Sequence, residues 1–163
     1  MVKRKLIICS LILSAISWQV RLLTHFAFVY SEGEATEIIN ATNQQRLAAG
    51  LPLLTLNNKL TTVAELKAAD MVKNDYFNHV SPYNVPMSYW YSEAGYDYRY
   101  AGENLAVDFT DDRNIITAWM ESPKHRENLL NPDYTEVGVA VLRGIHNGHM
   151  TNFVVQELGK PQP

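Results

Sequence analysis

Residues 119–141 read WMESPKHRENLLNPDYTEVGVAV. Three structural elements follow one another in this stretch with no spare residues. WME closes one helix, and Ser122–Pro123 opens the next. Serine is a good cap, and proline fits the first helical position, where its missing N–H is not needed. NPDY is turn chemistry. EVGVAV then alternates Val137, Val139 and Val141, the period of a half-buried strand. His125 is the third residue after the Ser122 cap, where a Glu would complete a capping box. An imidazole there cannot close that box, and the positive end of the helix disfavours its protonated form. A neutral imidazole suits metal binding and proton acceptance. Glu121, just before the cap, also reads as an acid favoured by a nearby helix start.

Working outward, IHNGH is a hairpin loop with Asn147–Gly148 at its tip, and MTNFVVQELG is the returning strand. The tail, residues 161–163, is expected to fray. Upstream, Thr110 or Asp111 opens a helix that turns Ile115, Ile116, Trp119 and Met120 inward. RYAGENLAV reads as extended and YFNHVSPYN as a loop. Pro86 starts a short helix that stops at Gly95. Asn57 or Asn58 caps a helix running to about Asn74, with Leu60, Val63, Ala64, Ala68 and Met71 on its apolar face. LPLLTL is a connector. Residues 34–49 form the first helix, stopped by Gly50. Helices first and a strand pair last predict an α+β layered domain.

The chain has 163 residues, enough for one domain, with 47% hydrophobic and 19% charged residues. It begins with Met-Val-Lys-Arg-Lys followed by LIICSLILSAISWQV, so residues 1–30 read as a signal peptide or N-terminal anchor. Residues 31–160 form the domain. Beyond residue 30 there remain 10 basic residues (14 minus Lys3, Arg4, Lys5 and Arg21) against 17 acidic, a formal charge of −7. That balance argues against nucleic acid. The single cysteine, Cys9, lies in the N-terminal segment, so the domain is expected to be a monomer without disulfides.

Four segments in order, YFNHVSP, AGENLA, WMESPKHRENLLNPDYTEVGVAV and VVQELG, resemble the CAP superfamily (SCP-like proteins; cysteine-rich secretory protein, antigen 5 and pathogenesis-related 1). The cysteine-free prokaryotic branch is the nearer likeness. The first helix adds Asn43, Arg46, Gly50, Leu51 and Leu54 in the same pattern. The resemblance covers about residues 34–159. It implies a three-layer α-β-α sandwich with a small antiparallel sheet, and a secreted protein or one anchored at the outer face of the membrane. It implies a cleft lined by His79, Glu103, Glu121 and His125. Glu121 is a departure, because the prokaryotic form often has a non-acidic residue there.

Two imidazoles and two carboxylates suit Zn²⁺ or another divalent cation, with His79 and His125 as the first ligands to consider. Each residue also has a plainer reading. His79 can bond nearby loop backbone, and Glu103 can hold a neighbouring helix end. His146 and His149 flank the hairpin tip as solvated residues. Three functions compete. One is a binding domain at the cell envelope, for a cell-wall, lipid or protein ligand or a cation. A second is a metal-dependent or His/Glu acid–base hydrolase with His79, Glu103 and His125 as its groups. The third is a structural or protein-interaction module. Neither Ser81 nor Ser122 sits in a G-x-S-x-G elbow, so a serine hydrolase is disfavoured, and binding is preferred to catalysis.

Overall fold

The computed structural model describes residues 30–109 and 112–163. Its helices are α1 (Glu32–Ala48), α2 (Asn58–Lys73), α3 (Met87–Glu93), α4 (Asp112–Glu121) and α5 (Pro123–Leu129). Its strands are β1 (Thr55–Leu56), β2 (Tyr98–Val107), β3 (Glu136–His146) and β4 (His149–Pro161). The leader reading of residues 1–30 falls, apart from Tyr30, outside the described residues, as does the choice between Thr110 and Asp111 at the start of α4. Among the described residues no helix is long and apolar enough to cross a membrane.

The hairpin that EVGVAV predicts is the centre of the sheet. Asn147 and Gly148 turn it at φ 49° and 82°, the left-handed pair of a tight two-residue connection. β3 and β4 pair antiparallel from Glu136–Gly159 to His146–His149. β2 adds antiparallel to β4 and becomes one edge. The connector LPLLTL supplies the other edge as β1, parallel to β3 through Thr55–Glu136 and Leu56–Val137. The expected antiparallel sheet is therefore mixed, in the order β1-β3-β4-β2. Asn57 ends β1 after two residues because it caps α2, accepting from Lys59 N at 2.8 Å.

Alternation along β3 builds the three layers. Val137, Val139 and Val141 join Ile38 of α1, Ile115, Ile116 and Trp119 of α4 and Leu129 of α5 in one core. Ala140 and Leu142 face the other way, onto Ala64, Ala68 and Met71 of α2. Leu60, Val63, Trp90, Tyr91 and Tyr96 extend that second layer onto α3. Gly138 lets α2 lie against the sheet, since a Cβ there would collide with the Leu60–Thr61 backbone.

The residues shared with the family pattern in α1 have a structural task. Asn43 exchanges two hydrogen bonds with the Leu54 backbone, at 2.8 and 3.0 Å. Arg46 is fully buried and donates to the carbonyls of Pro52, Leu129, Asn131 and Tyr134. Burial pushes its guanidinium pKa down from the usual value. That fork ties the end of α1 to the turn joining α5 and β3. Pro161 pairs with Tyr98, and Gln162 donates its backbone N–H to Asp97 O and its side-chain amide to Tyr98 O.

Candidate functional site

The site forms along β2, the edge strand carrying AGENLA. Successive residues of a strand point to opposite faces, and Glu103 and Asn104 use both. Glu103 turns toward the α2–α3 layer, where its Oε1 lies 2.5 Å from His79 Nδ1. Asn104 turns toward α5, accepting from Asn128 Nδ2 at 3.0 Å and donating to His125 O at 3.4 Å. Asn104 also donates to Gln156 Oε1 at 3.0 Å, and Gln156 donates to Thr42 Oγ1 at 2.9 Å. A chain of amides thus runs from α1 through the sheet to the helix bearing His125.

His79 sits in the loop after α2. Its side chain is 56% exposed while that of Glu103 is 1% exposed. A buried carboxylate therefore holds an accessible imidazole. The loop is fixed from beneath by Lys67, whose ammonium donates to Tyr76 OH (3.1 Å), Asn78 O (2.7 Å) and His79 O (3.0 Å). Lys67 is fully buried, and burial lowers its pKa against the opposing pull of Glu103, Asp70 and Glu157. Tyr76 in turn donates to Asp70 Oδ2 at 2.6 Å.

His125 lies half-buried on α5, its ring tilted against Trp119 at 6.2 Å. Its pKa is lowered, first by burial and second by the positive charge His79 can carry. The direction matches the expectation from the helix start, but the main cause is burial. Ser122 does occupy the cap position and Pro123 the first turn, yet the Ser122 side chain makes no capping hydrogen bond. His79, Glu103 and His125 thus form one neighbourhood. Glu121 is exposed at the C-terminal end of α4.

His79 Nδ1 faces Glu103, a carboxylate contact that metal-ligating histidines also make, so Nε2 is the nitrogen open to a ligand or an ion. Among the described residues no group of three or more His, Cys, Asp or Glu side chains is placed to hold a metal. Ser81, two residues after His79, is buried and its Oγ accepts from Tyr83 N (3.2 Å) and Val85 N (3.1 Å). His146 and His149 pair separately with Asp75 (3.3 Å) and Asp108 (2.9 Å). A groove of about 230 Å³ between α1 and α2 is lined by none of the four predicted residues.

Sequence reasoning missed Lys67, Asn104, Asn128, Gln156 and Glu157. Two of them left a signal. Lys67 falls in the apolar stripe of α2 between Ala64 and Met71, and Glu157 alternates with Phe153 and Val155 along β4.

Comparison with known proteins places this geometry. The model of the cysteine-rich secretory protein family, CAP, matches residues 39–158. The Bacillus subtilis protein YkwD is 38% identical over 104 residues, covering 63% of this chain and 40% of its own length. The Bacillus subtilis membrane protein YlbC is 36% identical over 107 residues, covering 66% of this chain and 31% of its own. The chain thus spans less than half the length of these relatives. The crystal structure of an extracellular protein containing an SCP domain from Bacillus anthracis superposes with a TM-score of 0.68 at 30% identity, over 78% of this chain and 40% of that one. An outer surface protein of Borrelia burgdorferi shares the fold, with a TM-score of 0.71 at 19% identity, over 83% and 99% of the two chains. With the family pattern spanning the sheet, α2 and both histidine-bearing segments, this chain belongs to the cysteine-rich secretory protein (CAP) family.

Proposed function

We propose that the chain is an extracellular or surface-held domain of the cell envelope whose cleft binds a neutral, hydrogen-bonding ligand reversibly, a cell-wall glycan fragment being the best fit. One observation carries this reading: an exposed imidazole, His79, anchored on buried Glu103 with its other nitrogen free, beside a second imidazole, His125, kept neutral by burial. Such a pair offers directed hydrogen bonds. The segment following His79 exposes Tyr83 and Tyr89, and tyrosine faces suit sugar rings. The charge of −7 over residues 31–163 disfavours anionic polymers. The described relatives that are extracellular or outer-surface proteins agree with an envelope setting.

A hydrolytic reading has one feature in its favour. His79 with Glu103 behind it is the arrangement of a general base with its orienting group.

The test is titration of the chain with soluble peptidoglycan fragments, following the histidine side-chain NMR signals, together with chromatography of the fragments after incubation. Saturable shifts of His79 and His125 with intact fragments, lost in His79→Ala, support the binding reading. Cleaved fragments that disappear in His79→Ala replace it with the hydrolase. No shift at any fragment concentration rejects both for this ligand class and favours a purely structural module.

A further inference from the structure

Behind the His79–Glu103 pair lies a second carboxyl. Glu157 on β4 is the direct cross-strand partner of Glu103 on β2, on the same face of the sheet. Both are in the core, at 0% and 4% exposure. Two like charges opposite one another on a buried ladder repel strongly, so the pair needs a compensating proton or cation.

The hydrogen bonds around the pair decide which. Glu103 Oε1 faces His79 Nδ1, and Glu157 Oε2 accepts from Tyr91 OH at 2.5 Å. The two remaining oxygens, Glu103 Oε2 and Glu157 Oε1, are buried with no N–H or O–H donor among the described residues. The adjacent cation cannot serve them. An ammonium has three hydrogens, and those of Lys67 go to Tyr76, Asn78 and His79. One proton between the two orphan oxygens satisfies both at once.

We propose that Glu157 is a positioning residue of the cleft, which holds a proton as a neutral acid, donates it to Glu103, and thereby keeps His79 protonated on Nδ1 with Nε2 turned to the ligand. The donors then run in one direction. Tyr91 O–H donates to Glu157, Glu157 O–H donates to Glu103, and the Glu103 carboxylate accepts from His79 Nδ1–H. Burial raises the Glu157 carboxyl well above its usual range, and the charge of Glu103 raises it further, so the proton belongs on Glu157. Its tyrosine partner is raised too, by burial and by Glu157, and stays a donor. The tautomer of the exposed ring is thus set by a residue one strand deeper in the core.

This deepens the ligand-cleft reading, but it is tested without ligand, so either can fail while the other stands. The experiment uses the full chain as parent, Glu157→Gln and Glu157→Leu. Long-range ¹H–¹⁵N spectra, recorded above the imidazole titration range, read the His79 tautomer. Infrared spectra at the same pH read the carbonyl stretch of a protonated carboxylic acid. Glutamine keeps the geometry, since its amide N–H donates to Glu103 and its oxygen accepts from Tyr91. The expected result is Nδ1–H at His79 in the parent and in Glu157→Gln. In Glu157→Leu the buried Glu103 Oε2 loses its donor, the carboxylate no longer holds its place against Nδ1, and His79 moves toward the mixed tautomers of an unheld imidazole. The protonated-acid band is present in the parent and lost in Glu157→Gln. An Nε2–H tautomer in the parent overturns the proposal, as does an unchanged tautomer in Glu157→Leu. If the leucine variant does not fold, the glutamine variant decides alone: a parent without the acid band, or a band that persists in Glu157→Gln, overturns it.

Discussion

Glu103 and Asn104 are consecutive residues on edge strand β2, and each holds a different histidine. Glu103 reaches His79 through the α2–α3 layer, and Asn104 reaches the backbone of His125 on α5. The period of two along a strand brings together two rings that are 46 residues apart in the chain. The site depends on β2 remaining an ordered edge. Asn128 secures it by donating to Glu103 O and to Asn104 Oδ1, both at 3.0 Å.

Replacing Asn128 with Ala should therefore loosen α5 without touching His79. Losing a half-buried amide that makes two hydrogen bonds costs about 1–2 kcal/mol. Urea unfolding should report that loss. The His125 ring signals should move while the His79 signals stay in place. Movement of both rings would mean that the two halves of the cleft are coupled through more than this amide.

Arg46 is a costly side chain to remove, being fully buried and bonded to four carbonyls. Arg46→Met leaves the carbonyls of Pro52, Leu129, Asn131 and Tyr134 without their donor. Bonds to a charged donor contribute about 1.5–3 kcal/mol each in isolation, and deletions of shared networks do not add. A loss of about 3 kcal/mol or more is expected, visible as a lowered urea midpoint with an unchanged slope. A loss under about 1 kcal/mol would show that solvent takes over those carbonyls.

The stability of the fold should depend on pH through two groups of opposite sign. His125 has a folded pKa below its ordinary 6.5. The unfolded chain binds the proton first, so this contribution is present above pH 6.5 and is lost as pH falls through the folded pKa. Glu157 has a folded pKa well above 4.5. Here the folded chain holds the extra proton, so the contribution is complete below pH 4.5 and is lost as pH rises through the folded pKa. In urea unfolding across pH, His125→Gln should flatten the acid-side decline. Glu157→Gln should gain stability relative to the parent as pH rises. A Glu157→Gln variant whose difference from the parent is the same at low and high pH would place the proton elsewhere.

Zinc titration by calorimetry should give no stoichiometric site in the cleft, because among the described residues no third His, Cys, Asp or Glu ligand is placed with His79 and His125 to hold an ion. Any weak heat should vanish in the His146→Ala/His149→Ala variant, whose rings stand at the hairpin tip. A single tight site abolished by His79→Ala/His125→Ala would instead mean that an ion binds through the imidazole nitrogens with the Glu103 bond to Nδ1 in place.

Most of the fold was legible in the chain. The Ser122–Pro123 break, the valine alternation, the Asn147–Gly148 turn and the Asn57 cap are local choices, each fixed by backbone chemistry within a few residues. The edge strand β1 was not legible. Two residues of LPLLTL carry no period, and they become a strand only because Thr55 N and Asn57 N find the carbonyls of Thr135 and Val137 at 2.9 Å.

The site divides along the same line. His79, Glu103 and His125 were recognisable as chemistry, because imidazoles and carboxylates in motif order stand out in one dimension. Glu121 stood out for the same reason, yet the end of α4 leaves it exposed. Glu157, Lys67 and Gln156 looked like ordinary polar residues of a strand and a helix. Strand register set Glu157 opposite Glu103, and the packing of α2 drove Lys67 beneath the His79 loop. Sequence by itself determined the elements and the reactive groups, since those follow from local propensity and residue type. Which groups lie in water and which share a buried proton was decided only by the tertiary structure, because burial and hydrogen-bond partners come from residues far apart in the chain.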